Sequence, residues 1–210
     1  MKMDKLKLYN ILMYSLILVI VVTLILLAIK YILNYINEKD KTHTITSIYD
    51  SIGIYKEENV LSGTLGEENT QEVIIPSVTY KGYPVIGIIK IDKINIEYPI
   101  LDNNTPQALN KSIVKYYGCM VGEVGNISLA GHNNLDNTMF GQINKLEIGD
   151  NITLITMTGE IVNYTILQKY ITVPEDIGCT KSLDETKREV TLITCINGNK
   201  NRLIIKAQEL

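Results

Sequence analysis

A mainly β domain carried behind one membrane-crossing helix is the architecture this sequence predicts. Three observations predict it. Leu8 to Ile29 is an uncharged run dominated by Leu, Ile and Val. From Val73 onward, short apolar runs alternate with turn residues. Helix-start signals in that second part are few, and the helices they open are short.

The apolar run comes first. About 22 residues at 1.5 Å rise make roughly 33 Å of helix, enough to cross a hydrocarbon core of ~30 Å. Lys2, Lys5 and Lys7 precede it, offset only by Asp4, whereas Lys30 is followed by the mixed Glu38-Lys39-Asp40-Lys41. The positive-inside rule then puts residues 1–7 in the cytoplasm and everything after Tyr31 outside. A cleaved signal peptide would have a shorter apolar region and small residues at the cut, and Leu27-Ala28-Ile29-Lys30 is a poor site for one. The expectation is a retained anchor over 8–29. Residues 30–72 read as a juxtamembrane segment and linker. Intermittent Ile and Tyr over 31–55 suit a further helix, and the polar Lys56 to Gln71, with Gly63, Gly66 and Glu67-Glu68, suits a mobile arm.

The domain is expected over 73–210. Val85 to Ile91 and Ile94 to Ile100 read as strands joined by Asp92-Lys93. Thr105-Pro106 starts a short helix, a capping hydroxyl before Pro at the first helical position, ending near Ser112. Asn126 to Ala130 is a strand entering a Gly131-His132 turn, and Phe140 to Leu146 one or two helical turns. Asn151 to Met157, Ile161 to Val173, Val190 to Cys195 and Leu203 to Ala207 complete the strands. Pro174-Glu175-Asp176 opens a loop that continues to about Arg188.

Composition removes several functions. A net charge of -3 and scattered lysines leave no basic face for nucleic acid, and with no Trp and one Phe there are few stacking platforms for bases. The three cysteines lie far apart, with no metal-site spacing, so neither a metal nor any other cofactor is expected. A Cys119–Cys179 bridge outside the cell is a minor alternative.

The candidates for chemistry are few, because the chain has two histidines and two arginines in all. Val190 to Cys195 is a strand-like run ending on a thiol. A free thiol is mostly protonated at neutral pH, so a nucleophilic cysteine needs a cationic neighbour. His132, after the flexible Gly131, has the ring for that partnership and for proton transfer. Arg202 opens the last strand across the Asn/Gly-rich Ile196 to Asn201 loop, which suits a hairpin, and its permanent charge suits an oxyanion. His43 and Arg188 are the weaker rivals. Taken singly, each side chain also has a plain reading: a small buried hydrophobe, a turn histidine, a solvated charge.

Together, Ile127-Ser128-Leu129-Ala130-Gly131-His132, Thr191-Leu192-Ile193-Thr194-Cys195 and Asn201-Arg202-Leu203-Ile204 are similar to the motifs of the sortases, cysteine transpeptidases of Gram-positive cell surfaces. Supporting segments are Ile89-Lys90-Ile91 with Tyr98-Pro99-Ile100, Thr105-Pro106-Gln107-Ala108-Leu109, and Asn144-Lys145-Leu146 before Ile148-Gly149-Asp150. The resemblance runs from about Val85 to the C-terminus. It implies an eight-stranded β-barrel. It implies Cys195 as the nucleophile on a Thr-Gly-like bond in an LPXTG-like sorting signal of a secreted protein, with His132 as proton carrier. Arg202 would steady the oxyanion, and Ala130, Ile193 and Thr194 would line the groove. The thioester would pass to an amine of a peptidoglycan precursor or a pilin lysine. The calcium-binding acidic cluster of some members has no counterpart between Lys115 and Ser128, and the Asp-Pro-aromatic lid of many pilin polymerases is missing from 31–80. Two rival functions use the same surface: a cysteine peptidase releasing its acyl group to water, and a non-catalytic peptide-binding domain. A papain-like arrangement is disfavoured, since there the cysteine precedes the histidine.

Overall fold

The computed structural model describes residues 5–53 and 77–209. Helix α1 covers Lys5–Ile52 and is long and apolar enough to cross a membrane. Its apolar side chains from Leu8 to Ile36 are exposed within the protein. The sequence reading of a span followed by a separate juxtamembrane helix thus becomes one continuous helix. The expected arm over Lys56 to Gln71 and the boundary at Val73 lie outside the described residues.

Residues 44–210 form one compact unit. Its strands are β1 (Thr79–Tyr80), β2 (Tyr83–Ile91), β3 (Ile96–Leu101), β4 (Ile113–Gly118), β5 (Gly125–Ala130), β6 (Asn151–Thr156), β7 (Ile161–Thr172), β8 (Arg188–Ile196) and β9 (Asn201–Glu209). The order is β1-β2-β3-β4-β5-β8-β9-β7-β6, and β2 also pairs with β6. That last pairing closes β2 to β9 into an eight-stranded barrel, and the two-residue β1 merely extends one end of β2. Closure leaves no open edge among the eight strands.

The barrel exists because its strands alternate. Ile127 and Leu129 of β5, Val190 and Leu192 of β8, and Leu203, Ile205 and Ala207 of β9 all belong to the interior cluster, as period-two alternation requires. Phe140, the one phenylalanine, and Ile143 plug the same core. The expected helical turns between Phe140 and Leu146 reduce to one 3₁₀ turn, Ile143–Lys145. A second cluster covers the outside of the wall. There Ile45, Ile48 and Tyr49 of α1 pack with Val85, Ile88, Leu101, Ala108 and Val114, and Ala130 lies against them. Ile48 is fully buried, a contribution of about 1.5–3 kcal/mol for such a side chain. The Tyr49 hydroxyl donates to Glu97 at 2.6 Å. The last two turns of α1 are therefore part of the domain's packing.

Helix α2 is Pro106–Leu109, shorter than expected, with the Thr105 hydroxyl accepting from the Ala108 N–H at 3.3 Å. Asn110 caps its end.

Candidate active site

The register of three neighbouring strands builds the site. Strand β8 runs parallel to β5, with Asn126 opposite Glu189, Ser128 opposite Thr191 and Ala130 opposite Ile193. Strand β9 runs antiparallel to β8, with Gln208 opposite Glu189, Lys206 opposite Thr191, Ile204 opposite Ile193 and Arg202 opposite Cys195. These residues alternate with the interior set, so all of them face outward. They form successive rows across the outer wall. The final row holds Cys195 and Arg202, and His132 stands two residues past Ala130 as Cys195 stands two past Ile193. Adjacent strands lie about 4.8 Å apart, so Cys195 has Arg202 on one flank and the His132 turn on the other.

Backbone contacts extend the β5–β8 ladder into that turn. The Gly131 N–H donates to the Ile193 carbonyl at 3.2 Å, and the Thr194 hydroxyl donates to the Gly131 carbonyl at 2.7 Å. The Asn133 side-chain amide donates to the Cys195 carbonyl at 2.9 Å. The Phe140 N–H donates to the His132 carbonyl at 3.0 Å. Gly131 is required here by close approach: a Cβ at this position would lie 2.7 Å from the Phe140 ring.

His132 is held through its ring. Nε2 lies 2.9 Å from Asn110 Oδ1, and an amide oxygen only accepts, so Nε2 carries a hydrogen. In the neutral ring Nδ1 is then the nitrogen free to exchange a proton. Arg202 Nη1 donates to the Asn199 carbonyl at 3.2 Å and to the Asn201 carbonyl at 3.3 Å. That hairpin loop turns tightly because Asn197, Gly198 and Asn199 all adopt positive φ, which Asn tolerates and Gly favours. Cys195 is half-buried, which leaves its thiol reachable.

The three expected groove residues sort differently. Ala130 and Ile193 share the outward row beside Cys195. Thr194 alternates to the other face, is 2 % exposed, and spends its hydroxyl on the Gly131 turn. The rivals lie elsewhere. Arg188 begins β8, roughly 23 Å of strand from Cys195, and pairs with Glu160 at 2.5 Å. His43 is on α1. Cys119 and Cys179 are free thiols, so the bridge between them does not form. Burial pushes both thiols up, disfavouring their thiolates. Asn110 and Asn133 are site residues that the sequence reading missed. The one signal for each was its place, Asn110 closing the Thr-Pro-Gln-Ala-Leu helix and Asn133 following His132.

Asn110→Ala is expected to lower kcat about tenfold with KM unchanged, since it frees the ring without touching the groove. Steady-state kinetics with a pH profile checks this. An unchanged kcat would show that the ring needs no such partner.

The Sortase domain family model matches residues 89–210, more than half of the chain. Sortase D of Bacillus subtilis (strain 168) is 34% identical over 110 residues, covering 52% of this chain, and the chain spans only 53% of that relative's length. Sortase A of Bacillus anthracis is 28% identical over 204 residues, 95% of this chain and 92% of that protein. Among solved structures, a Clostridium perfringens sortase D5 transpeptidase superposes with a TM-score of 0.55 at 34% identity, over 60% of this chain and 79% of that one. Sortase A from Corynebacterium diphtheriae gives a TM-score of 0.56 at 28% identity, over 61% of each chain. Relatives of both the A and the D kind match, and the closed eight-stranded barrel is the fold they share with this protein. The chain belongs to the sortase family.

Proposed function

We propose that this protein is a membrane-anchored cysteine transpeptidase that cleaves a C-terminal sorting signal and joins the released acyl group to an amine. The observation that carries this reading is the outward row at one barrel rim. Cys195 sits directly across from Arg202, with the His132 turn bonded to the Cys195 carbonyl through Asn133.

The chemistry follows from those groups. His132 takes the Cys195 thiol proton, the resulting thiolate attacks the scissile carbonyl carbon, and the Arg202 guanidinium stabilises the oxyanion that forms. As the C–N bond breaks, His132 gives its proton to the departing amine, leaving a thioester on Cys195. An acceptor amine attacks the thioester, His132 takes the proton back, and the sulfur leaves as thiolate. Ala130 and Ile193 border the groove. Thr194 contributes by holding the Gly131 turn in place.

Residues 8–29 serve as a single-pass anchor with residues 1–7 in the cytoplasm, 30–72 as the juxtamembrane connection, and 73–210 as the catalytic part outside. Sorting-signal proteins held by their own anchors then meet the enzyme at raised effective concentration. The acceptor is a peptidoglycan-precursor amine or a pilin lysine.

The test uses the full chain in detergent or vesicles with LPXTG-like peptides and an amine acceptor. A thioester adduct on the protein by intact mass, and an amide product, are expected. A free acid as sole product would reassign the protein as a cysteine peptidase. No adduct with any member of a peptide library would leave only a peptide-binding domain.

A further inference from the structure

Below the apolar Ile193–Ile204 row, outward residues of β8 and β9 are polar or charged, yet buried. Glu189 is 1 % exposed, Thr191 0 % and Lys206 3 %. What covers them is the loop between β7 and β8, which includes the 3₁₀ turn Gly178–Thr180. A buried carboxylate and a buried ammonium are costly unless fully partnered. Here each is partnered by that loop's backbone. Lys206 Nζ donates to the Cys179 carbonyl at 3.2 Å and also to the Lys181 carbonyl. Glu189 accepts from the Leu183 N–H at 2.7 Å and the Asp184 N–H at 2.6 Å, and from Gln208 Nε2 at 3.0 Å. From the neighbouring strand, Asn126 Nδ2 donates to the Thr180 carbonyl at 2.9 Å and its oxygen accepts from the Thr191 hydroxyl at 2.9 Å. Just above these rows, Cys179 packs on Ile193 and Ile204, one row from Cys195 and Arg202.

We propose that Lys206 and Glu189 are positioning residues for the peptide groove: they clamp the backbone of residues 179–184 onto the outer barrel wall, making this loop a fixed flank of the site rather than a mobile flap. The clamp rests on the transpeptidase reading for its consequence and on burial and hydrogen bonding for its existence. A flank already ordered spares the cost of ordering it when peptide binds. Neither side chain reaches the reacting atoms, so the clamp acts on substrate capture and not on bond breaking. The exposed Val173 and Ile177 belong to the same loop.

The experiment compares the full chain with Lys206→Met and Glu189→Gln in the peptide–amine assay, alongside amide hydrogen exchange. Lys206→Met is expected to raise KM for the peptide about tenfold with kcat within about twofold. Glu189→Gln keeps the shape and one acceptor, and is expected to raise KM to a smaller extent; it carries the kinetic test if Lys206→Met does not fold. In the unsubstituted protein the Leu183 and Asp184 amides are expected to exchange on the order of a hundredfold more slowly than amides of the hairpin loop 197–200. A KM unchanged in a folded variant, or a loss confined to kcat, would overturn the positioning role. Fast exchange at Leu183 and Asp184 would overturn the clamp itself. Absence of turnover in the unsubstituted chain would fail the transpeptidase reading and remove the positioning role with it, while the exchange rates still decide the clamp.

Discussion

Alanine in place of Cys195 is expected to end turnover, lowering kcat by roughly 10⁴-fold or more, as loss of a catalytic nucleophile does elsewhere. The thioester adduct seen by intact mass should vanish with it. Neither other thiol can take over. Cys119 lies at the β4–β5 turn, close to the Glu123 carbonyl at 3.8 Å, and Cys179 is a buried residue of the β7–β8 loop, 4 % exposed. Burial pushes both thiols up, so their reactive thiolate is scarce at neutral pH. The fold should be unaffected, because a half-buried thiol on an outward row fills no part of the barrel interior. An adduct persisting in Cys195→Ala, or appearing on Cys119 or Cys179, would refute the assignment.

Glutamine in place of His132 is the next largest effect, an expected loss of about 10²–10⁴ in kcat with a smaller change in KM. The amide keeps a hydrogen bond to Asn110 available but accepts no proton from an acceptor amine. Aminolysis should therefore suffer along with acylation. Pre-steady-state mass analysis separates the two half-reactions. Wild-type rates of thioester formation and breakdown in His132→Gln would remove the histidine from the mechanism.

Much of the barrel was legible because a strand writes its faces into the chain every second residue. Ile127 and Leu129 against Asn126 and Ser128, or Leu203 and Ala207 against Arg202 and Lys206, carry that period. Strand β4 escaped notice for the same reason. Only Ile113 and Val114 of its residues are buried, and the remainder, Lys115 to Gly118, looks like a polar loop. It pairs with β3 through only two residues before turning into its ladder with β5. At the end of α1 the helix was legible but its packing was not. Intermittent Ile and Tyr over 31–55 suit a helix, yet nothing local shows that Ile45, Ile48 and Tyr49 fall on one helical face and bury against the barrel wall.

Local sequence alone determined the strand-like segments, the apolar helix and the identity of the thiol, imidazole and guanidinium, since periodicity, apolar length and side-chain chemistry are properties of short stretches. Tertiary structure alone decided that β5, β8 and β9 lie side by side, that Asn110 meets His132, that Thr194 turns inward, and that Lys206, from 27 residues away, grips the same loop as Glu189. Such neighbours are set by strand order and register, which depend on burying the whole barrel at once and leave no mark in any single window of residues.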